Sequence, residues 1–278
     1  MRATARPGAA RARVLQRLWI DGEPAAEADL IHQLLHPYGA FTSFRVENGA
    51  VRGLDLHLSR LEASARDLFG EPVDARHLRT LIRQALSGRG DAWLRVSLFS
   101  RDVWMRSADV VGAPSVMVGV FDPPPPLAGD LSLQSQIHER EASHLKHVAT
   151  FGLMRARRQA RAGGWDDALF VDPQGRISEG SVWNIGFLRG DHVVWPQAPM
   201  LEGVAQALIR RHLTRVGLTD ERRPVHQDDL GAFDGAFICN SATPAAGVRA
   251  IDGVTWAADP GRIERLQAAW AAEPPEKP

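Results

Sequence analysis

Residues 145–187 read LKHVATFGLMRARRQARAGGWDDALFVDPQGRISEGSVWNIGF. Apolar residues at helical spacing place a helix over roughly 145–162, weakened around Thr150–Gly152. DDALFVD then reads as a strand, PQGR as a turn, and VWNIGFLRGDHVVWP as a hairpin. The stretch opens on Lys146, one of only two lysines against 31 arginines; the other is Lys277, next to the C-terminus. Both side chains can cover apolar surface while holding a charge in water. Only lysine can release its proton, attack a carbonyl and form a Schiff base. A lone internal amine is therefore either a functional amine or a surface lysine; Glu179 follows 33 residues later, just beyond a turn, and Asn184 five further.

Outward from this stretch the chain divides once. DPPPPLAGD at 122–130 continues neither a helix nor a sheet ladder and reads as a stiff linker. Before it, residues 18–121 form an α+β unit. LWIDGEP is a strand and turn, and Phe41, Phe44 and Val46 lie on an extended segment that turns at Glu47-Asn48-Gly49. Leu54, Leu58, Leu61 and Ala65 mark one helix, Leu78, Ile82 and Leu86 another, and AWLRVSLFS and PSVMVGVF are strands. After the linker, residues 131–270 add the stretch above, a helix in VAQALIRRHLTRVG, a strand in GAFICNS and a terminal helix around RIERLQAAW. Residues 1–17 read as a disordered Arg-rich leader and 271–278 as a flexible tail.

Composition excludes several function classes. Net charge is zero, which gives no electrostatic basis for nucleic-acid binding. No apolar run approaches the ~18 residues of a membrane span. The single cysteine, Cys239, forms no intramolecular disulfide, and the leader lacks the apolar core of a secretion signal, so a cytoplasmic protein is expected. The ten histidines form no metal pattern. His144 and His147 can share a helical face, yet no acidic or cysteine partner stands near them, and no metal is expected.

Four separated motifs, spread over nearly all of residues 18–255, resemble in type and order the class IV pyridoxal-phosphate aminotransferases. That group includes branched-chain and D-amino-acid aminotransferases and aminodeoxychorismate lyase. The motifs are LHPYGAFTSFRVENGAVRGLDLHLSRLEAS, the 145–187 stretch, MLEGVAQAL and FICNSATPAAGVRAIDG. The resemblance implies an α+β, two-domain fold of the D-amino-acid aminotransferase type, with pyridoxal 5'-phosphate held as an aldimine on Lys146. It also implies Glu179 against the pyridine nitrogen, Asn184 supporting the backbone around it, and Arg60 on the phosphate. Backbone amides at Val204 and Ala205, with Ser241 and the amide of Ala242, would complete the phosphate site. That set suits the chemistry, because a dianionic phosphate calls for an arginine and amides at a helix start.

Tyr38, the only tyrosine, matches a family position on the substrate side. The substrate carboxylate needs a positive or amide-rich clamp, for which Arg45, Arg95, Arg101 and the segment from Thr243 are candidates. Two features depart from the family pattern. Phe41 is followed by Thr42 where many members have an acidic residue, and KHVATF lacks the Asn-Tyr pair that usually follows the lysine. Both leave the cofactor anchors in place and argue against a standard branched-chain aminotransferase and a standard aminodeoxychorismate lyase alike. The expected activity is transamination between an amino donor and a 2-oxo acid by a homodimer. A lyase reaction and a non-catalytic binding or structural homologue are the alternatives.

Overall fold

A computed structural model describes residues 15–104, 106 and 112–278. Residues 1–14 of the expected leader lie outside them. The chain begins β1 (Leu15–Ile20) at Leu15 rather than Leu18, and β1 turns at Asp21-Gly22 into β2 (Glu23–Pro24). Helix α1 (Glu27–Leu35) follows, an element without a clear sequence signature, because none of its residues is buried. Then come β3 (Ala40–Val46), β4 (Val51–Arg52), α2 (Leu54–Phe69), α3 (Ala75–Leu86), β5 (Ala92–Phe99) and β6 (Ser115–Phe121). Five strands form an antiparallel sheet in the order β2-β1-β6-β5-β3. Strand alternation gives it two faces. Phe44, Val46, Leu94, Val96, Val118 and Val120 pack with the apolar stripes of α2 and α3 into one core. Phe41, Ser43, Arg45, Arg95 and Ser97 fall on the opposite face.

Residues 122–130 contain no helix or strand. Beyond them come β7 (Leu131–Ile137), α4 (Phe151–Ala162), β8 (Asp167–Val171), β9 (Ile177–Gly180), β10 (Asn184–Arg189) and β11 (His192–Pro196). They continue into α5 (Val204–His212), β12 (Thr219–Arg223), β13 (Gly235–Asn240), β14 (Thr243–Ile251), β15 (Val254–Thr255), α6 (Pro260–Ala271) and β16 (Pro275–Glu276). The second sheet runs β12-β11-β10-β13-β14-β7-β8-β9, with β15 on β14. An additional β9–β10 pairing, Glu179 opposite Asn184, closes six of these strands into a ring. Its interior is filled by Leu133, Leu169, Ile185, Phe187, Ile238 and Val248, while α5 and α6 cover the outer side.

Two sequence expectations are corrected. The helix expected from residue 145 begins at Phe151, and Lys146 sits in the preceding loop. The reason is a competing set of hydrogen bonds. Phe41 N–H donates to the Lys146 carbonyl (2.8 Å) and Val148 N–H to the Gly39 carbonyl (2.9 Å), which draws residues 146–148 into an extended bridge against the start of β3. His144 and His147 therefore share no helical face: His144 pairs with Asp67 (2.7 Å), and the His147 ring meets the Glu141 carbonyl (3.0 Å). The C-terminal residues, expected to be a flexible tail, instead cross to the first sheet. Pro275 and Glu276 pair with Arg52 and Val51, and Glu276 meets Arg79 at 2.7 Å.

Candidate active site

The loop that carries Lys146 joins the two sheets, so its amine stands where they meet. Lys146 makes no ion pair among the described residues. Burial and the nearby guanidiniums of Arg60, Arg140 and Arg95 bring its pKa down from 10.5 to about 7, with only Glu179 acting in the opposite sense. The amine lies 5.2 Å from the centre of the Phe41 ring. A charged amine leaving water for such a setting loses hydration that nothing nearby replaces.

Glu179 is 4% exposed and lies one residue before the end of β9, at the seam of the ring of strands. Its Oε1 accepts from Arg140 Nε (3.0 Å) and from the Leu201 amide (3.1 Å). Burial raises its pKa against the opposing pull of Arg140, the Leu201 amide and Lys146. Across the seam, Asn184 Nδ2 donates to the Leu201 carbonyl (2.8 Å). The five-residue spacing of Glu179 and Asn184 is that of a tight turn, closed by a Gly180 N–H to Trp183 carbonyl bond of 2.9 Å. Cross-strand partners face the same side, and here both grip the Leu201 backbone. Two residues on, Gly203 opens α5 so close to Asn184 that a Cβ there would lie 2.0 Å from Asn184 Oδ1.

Arg60 projects from α2 and donates from Nη2 to the Glu202 carbonyl (2.5 Å), which places its guanidinium at the start of α5. Burial and the charge of Arg140 lower its pKa to about 10. No side chain caps α5, so the amides of Val204 and Ala205 lie in a first turn whose N–H groups a helix cannot satisfy itself. Ser241 borders the same cavity as Val204 and Ala205. The amide of Ala242 is instead turned to Asn240 Oδ1 (2.9 Å), as is that of Thr243 (2.8 Å).

The proposed substrate-side residues separate. Arg95 stacks its guanidinium 3.6 Å from the Phe41 ring centre and contributes to the field at Lys146. Arg45 faces the same side of the sheet but donates to the Pro124 carbonyl of the linker. Arg101 is not brought to Lys146. It bonds Asp29 (2.6 Å), Asp21 (3.0 Å) and Ser115 (2.6 Å), fastening α1 to the first sheet. The Thr243 side chain is buried and accepts from the Leu127 amide (2.8 Å), a contact that ties down the linker. Tyr38 is 47% exposed, with its ring edge-on to Phe69. Arg140 was not singled out by the sequence, where Glu139 and Glu141 around it suggest a solvated loop. Among the described residues no cluster is suited to hold a metal ion.

Three guanidiniums and an amine face a single carboxylate at one buried place. That excess of positive charge, beside a helix start, fits a phosphorylated carbonyl cofactor. The chain belongs to the family described as Amino-transferase class IV, whose profile matches residues 39–251. Members of that family are pyridoxal-phosphate enzymes, aminotransferases and lyases. Over 266 residues the chain is 24% identical to the branched-chain-amino-acid aminotransferase of Pseudomonas aeruginosa, covering 85% of each. It is also 24% identical to the aminodeoxychorismate lyase of Bacillus subtilis, over 88% of this chain and 89% of that protein. Among solved structures, the branched-chain aminotransferase of Thermoproteus uzoniensis superposes with a TM-score of 0.81 at 21% identity, covering 93% of this chain and 94% of the other. That likeness shows the α+β fold of class IV aminotransferases.

Proposed function

We propose that the chain binds pyridoxal 5'-phosphate through Lys146 and transfers an amino group between an amino acid and a 2-oxo acid. The observation that carries this reading is the buried Lys146 amine, with a pKa of about 7, in one charge cluster with Glu179 and Arg60. When bound, the cofactor supplies a carbonyl for the amine and a ring that accepts electrons from the substrate α carbon. Arg60, the Val204 and Ala205 amides and Ser241 would hold its phosphate, with Ala242 contributing once its amide turns from Asn240. Glu179, fixed by Arg140 and Leu201, would keep the ring nitrogen protonated, and Asn184 keeps the Leu201 loop in register for that contact. Near neutral pH the amine exists in both protonation states, which suits a group that takes a proton from the α carbon and returns it elsewhere. Of the candidate clamps, Arg95 is the one beside Lys146, and it is assigned the substrate carboxylate; Arg45 and Tyr38 would border the pocket from further out.

The chain is further proposed to act as a homodimer in the cytoplasm. Leu34 and Leu35 of α1 are 79% and 62% exposed, and Leu30, Ile31 and Trp104 are exposed beside them. An apolar surface of this extent is consistent with burial against a second copy. Among the described residues no helix is long and apolar enough to cross a membrane.

Lysis is the second reading, favoured by the similarity to the Bacillus subtilis lyase. One spectral experiment tests both. Purified protein is incubated with pyridoxal phosphate, dialysed and scanned beside Lys146→Ala. A long-wavelength band that survives dialysis and needs Lys146 supports cofactor binding, and its absence from the unaltered protein overturns the proposal. Amino donors are then added singly. Under transamination the band bleaches and stays bleached until an oxo acid is supplied, whereas lysis restores it without any acceptor.

A further inference from the structure

His57 stands three residues before Arg60 on α2, 1% exposed, with its ring 4.8 Å from that of Phe44. Its Nδ1 lies 2.6 Å from the hydroxyl of Thr42, itself fully buried on β3. Among the described residues neither side chain has another hydrogen-bond partner. This settles the direction of the bond. Were Nδ1 the donor, the Thr42 hydroxyl proton would be buried without an acceptor, which costs about 1–3 kcal/mol. Thr42 therefore donates, Nδ1 accepts, and the proton of the neutral imidazole resides on Nε2. Burial holds the ring neutral, and the charges of Arg60 and Lys146 act in the same direction.

His57 also borders the cavity onto which Val204, Ala205 and Ser241 open. Of the charged groups around it, Arg45 is tied to the Pro124 carbonyl and to Glu47 (4.0 Å), and Arg52 to the Glu273 carbonyl (2.5 Å). The imidazole is a neutral donor in that wall, as are the Ser241 hydroxyl and the indole N–H of Trp270.

We propose that His57, oriented by Thr42, is a further binding residue for the phosphate of the cofactor, donating Nε2–H into the cavity at the start of α5. The proposal rests on the cofactor reading above. It also gives a physical sense to the departure at Thr42. A carboxylate at that position would accept from Nδ1–H and hold a charged imidazolium, whereas a threonine hydroxyl fixes the neutral tautomer. A neutral donor adds a directional bond to phosphate without placing another positive charge beside Lys146.

The test compares pyridoxal phosphate with pyridoxal, which lacks the phosphate, as ligands of unaltered protein, His57→Phe and Thr42→Val. Dissociation constants are read from absorbance titration, and folding from circular dichroism. His57→Phe is expected to weaken pyridoxal phosphate by about tenfold to a hundredfold, the loss of one hydrogen bond to a charged group, while pyridoxal is unaffected. Equal losses for both ligands in a folded variant, or no loss for either, overturn the proposal. If His57→Phe does not fold, Thr42→Val decides, with a severalfold loss confined to the phosphorylated ligand expected and an unchanged ratio overturning. Failure of the unaltered protein to bind pyridoxal phosphate would instead sink the cofactor reading, so the two failures are distinguishable.

Discussion

At the scale of single residues, the amine of Lys146 has no ion pair among the described residues and three guanidiniums in its field. Its protonated form is disfavoured in the folded state, so the unfolded chain binds more protons between about pH 7 and 10.5. Stability therefore rises with pH across that window, and the destabilising contribution is largest at and below pH 7. Lys146→Met in the cofactor-free protein is expected to be more stable than the unaltered chain by on the order of 2–4 kcal/mol at pH 6.5. The difference should close toward pH 10.5, as read by urea midpoints at both pH values. A gap independent of pH would mean that the amine is not the source. Lys146 stood out in the sequence because arginine cannot replace it chemically, whereas Glu179 and Asn184 stood out through the resemblance to class IV aminotransferases. Arg140 was not legible: its partner lies 39 residues away, and only folding turns a charge between two glutamates into a buried one. The partners of Arg101 were equally out of reach of the sequence, since the aspartates that engage it, Asp21 and Asp29, lie 80 and 72 residues from it.

At the scale of elements, the C-terminal strap has a buried fastening. Glu273 follows α6 at 8% exposure, with Oε2 2.6 Å from His212 Nε2 and Oε1 2.7 Å from Arg211. Arg52 donates to the Glu273 carbonyl, and β16 then adds to β4 beside the cavity that Trp270 and Pro275 help line. Glu273→Gln keeps the shape of the side chain but removes the charge that faces Arg211 and replaces one of the two acceptor oxygens by a donor. It is expected to cost about 1–3 kcal/mol, seen as a lower thermal midpoint. Combining it with His212→Ala should cost less than the sum of the two single changes, because neighbours in one network are not additive. Helices α2, α3 and α5 were readable from their apolar stripes, whereas the strap was not. AAEPPEKP has the composition of a frayed end, and what orders it is a carboxylate inserted between residues of another helix.

At the scale of the whole molecule, the two sheets explain why a site of this kind needs both halves of the chain. Lys146, Glu179 and the start of α5 come from the second half, whereas Arg60, Arg95 and His57 come from the first. The loop holding Lys146 hydrogen-bonds to β3, so the position of the amine depends on how the halves meet. The first half also carries α1, whose apolar side chains Leu30, Ile31, Leu34 and Leu35 are exposed and none of whose residues is buried among the described residues. Burying a leucine side chain contributes about 1.5–3 kcal/mol, so covering Leu34 and Leu35 by a second copy would supply several kcal/mol toward association. Sedimentation velocity of the unaltered protein is expected to give a dimer. Leu34→Asp combined with Leu35→Asp is expected to yield monomers with an unchanged circular dichroism spectrum, because neither side chain packs in the core of its own chain. A dimer that survives both substitutions would place the contact on another surface. A folded monomer before any substitution would mean that the site is assembled within one chain.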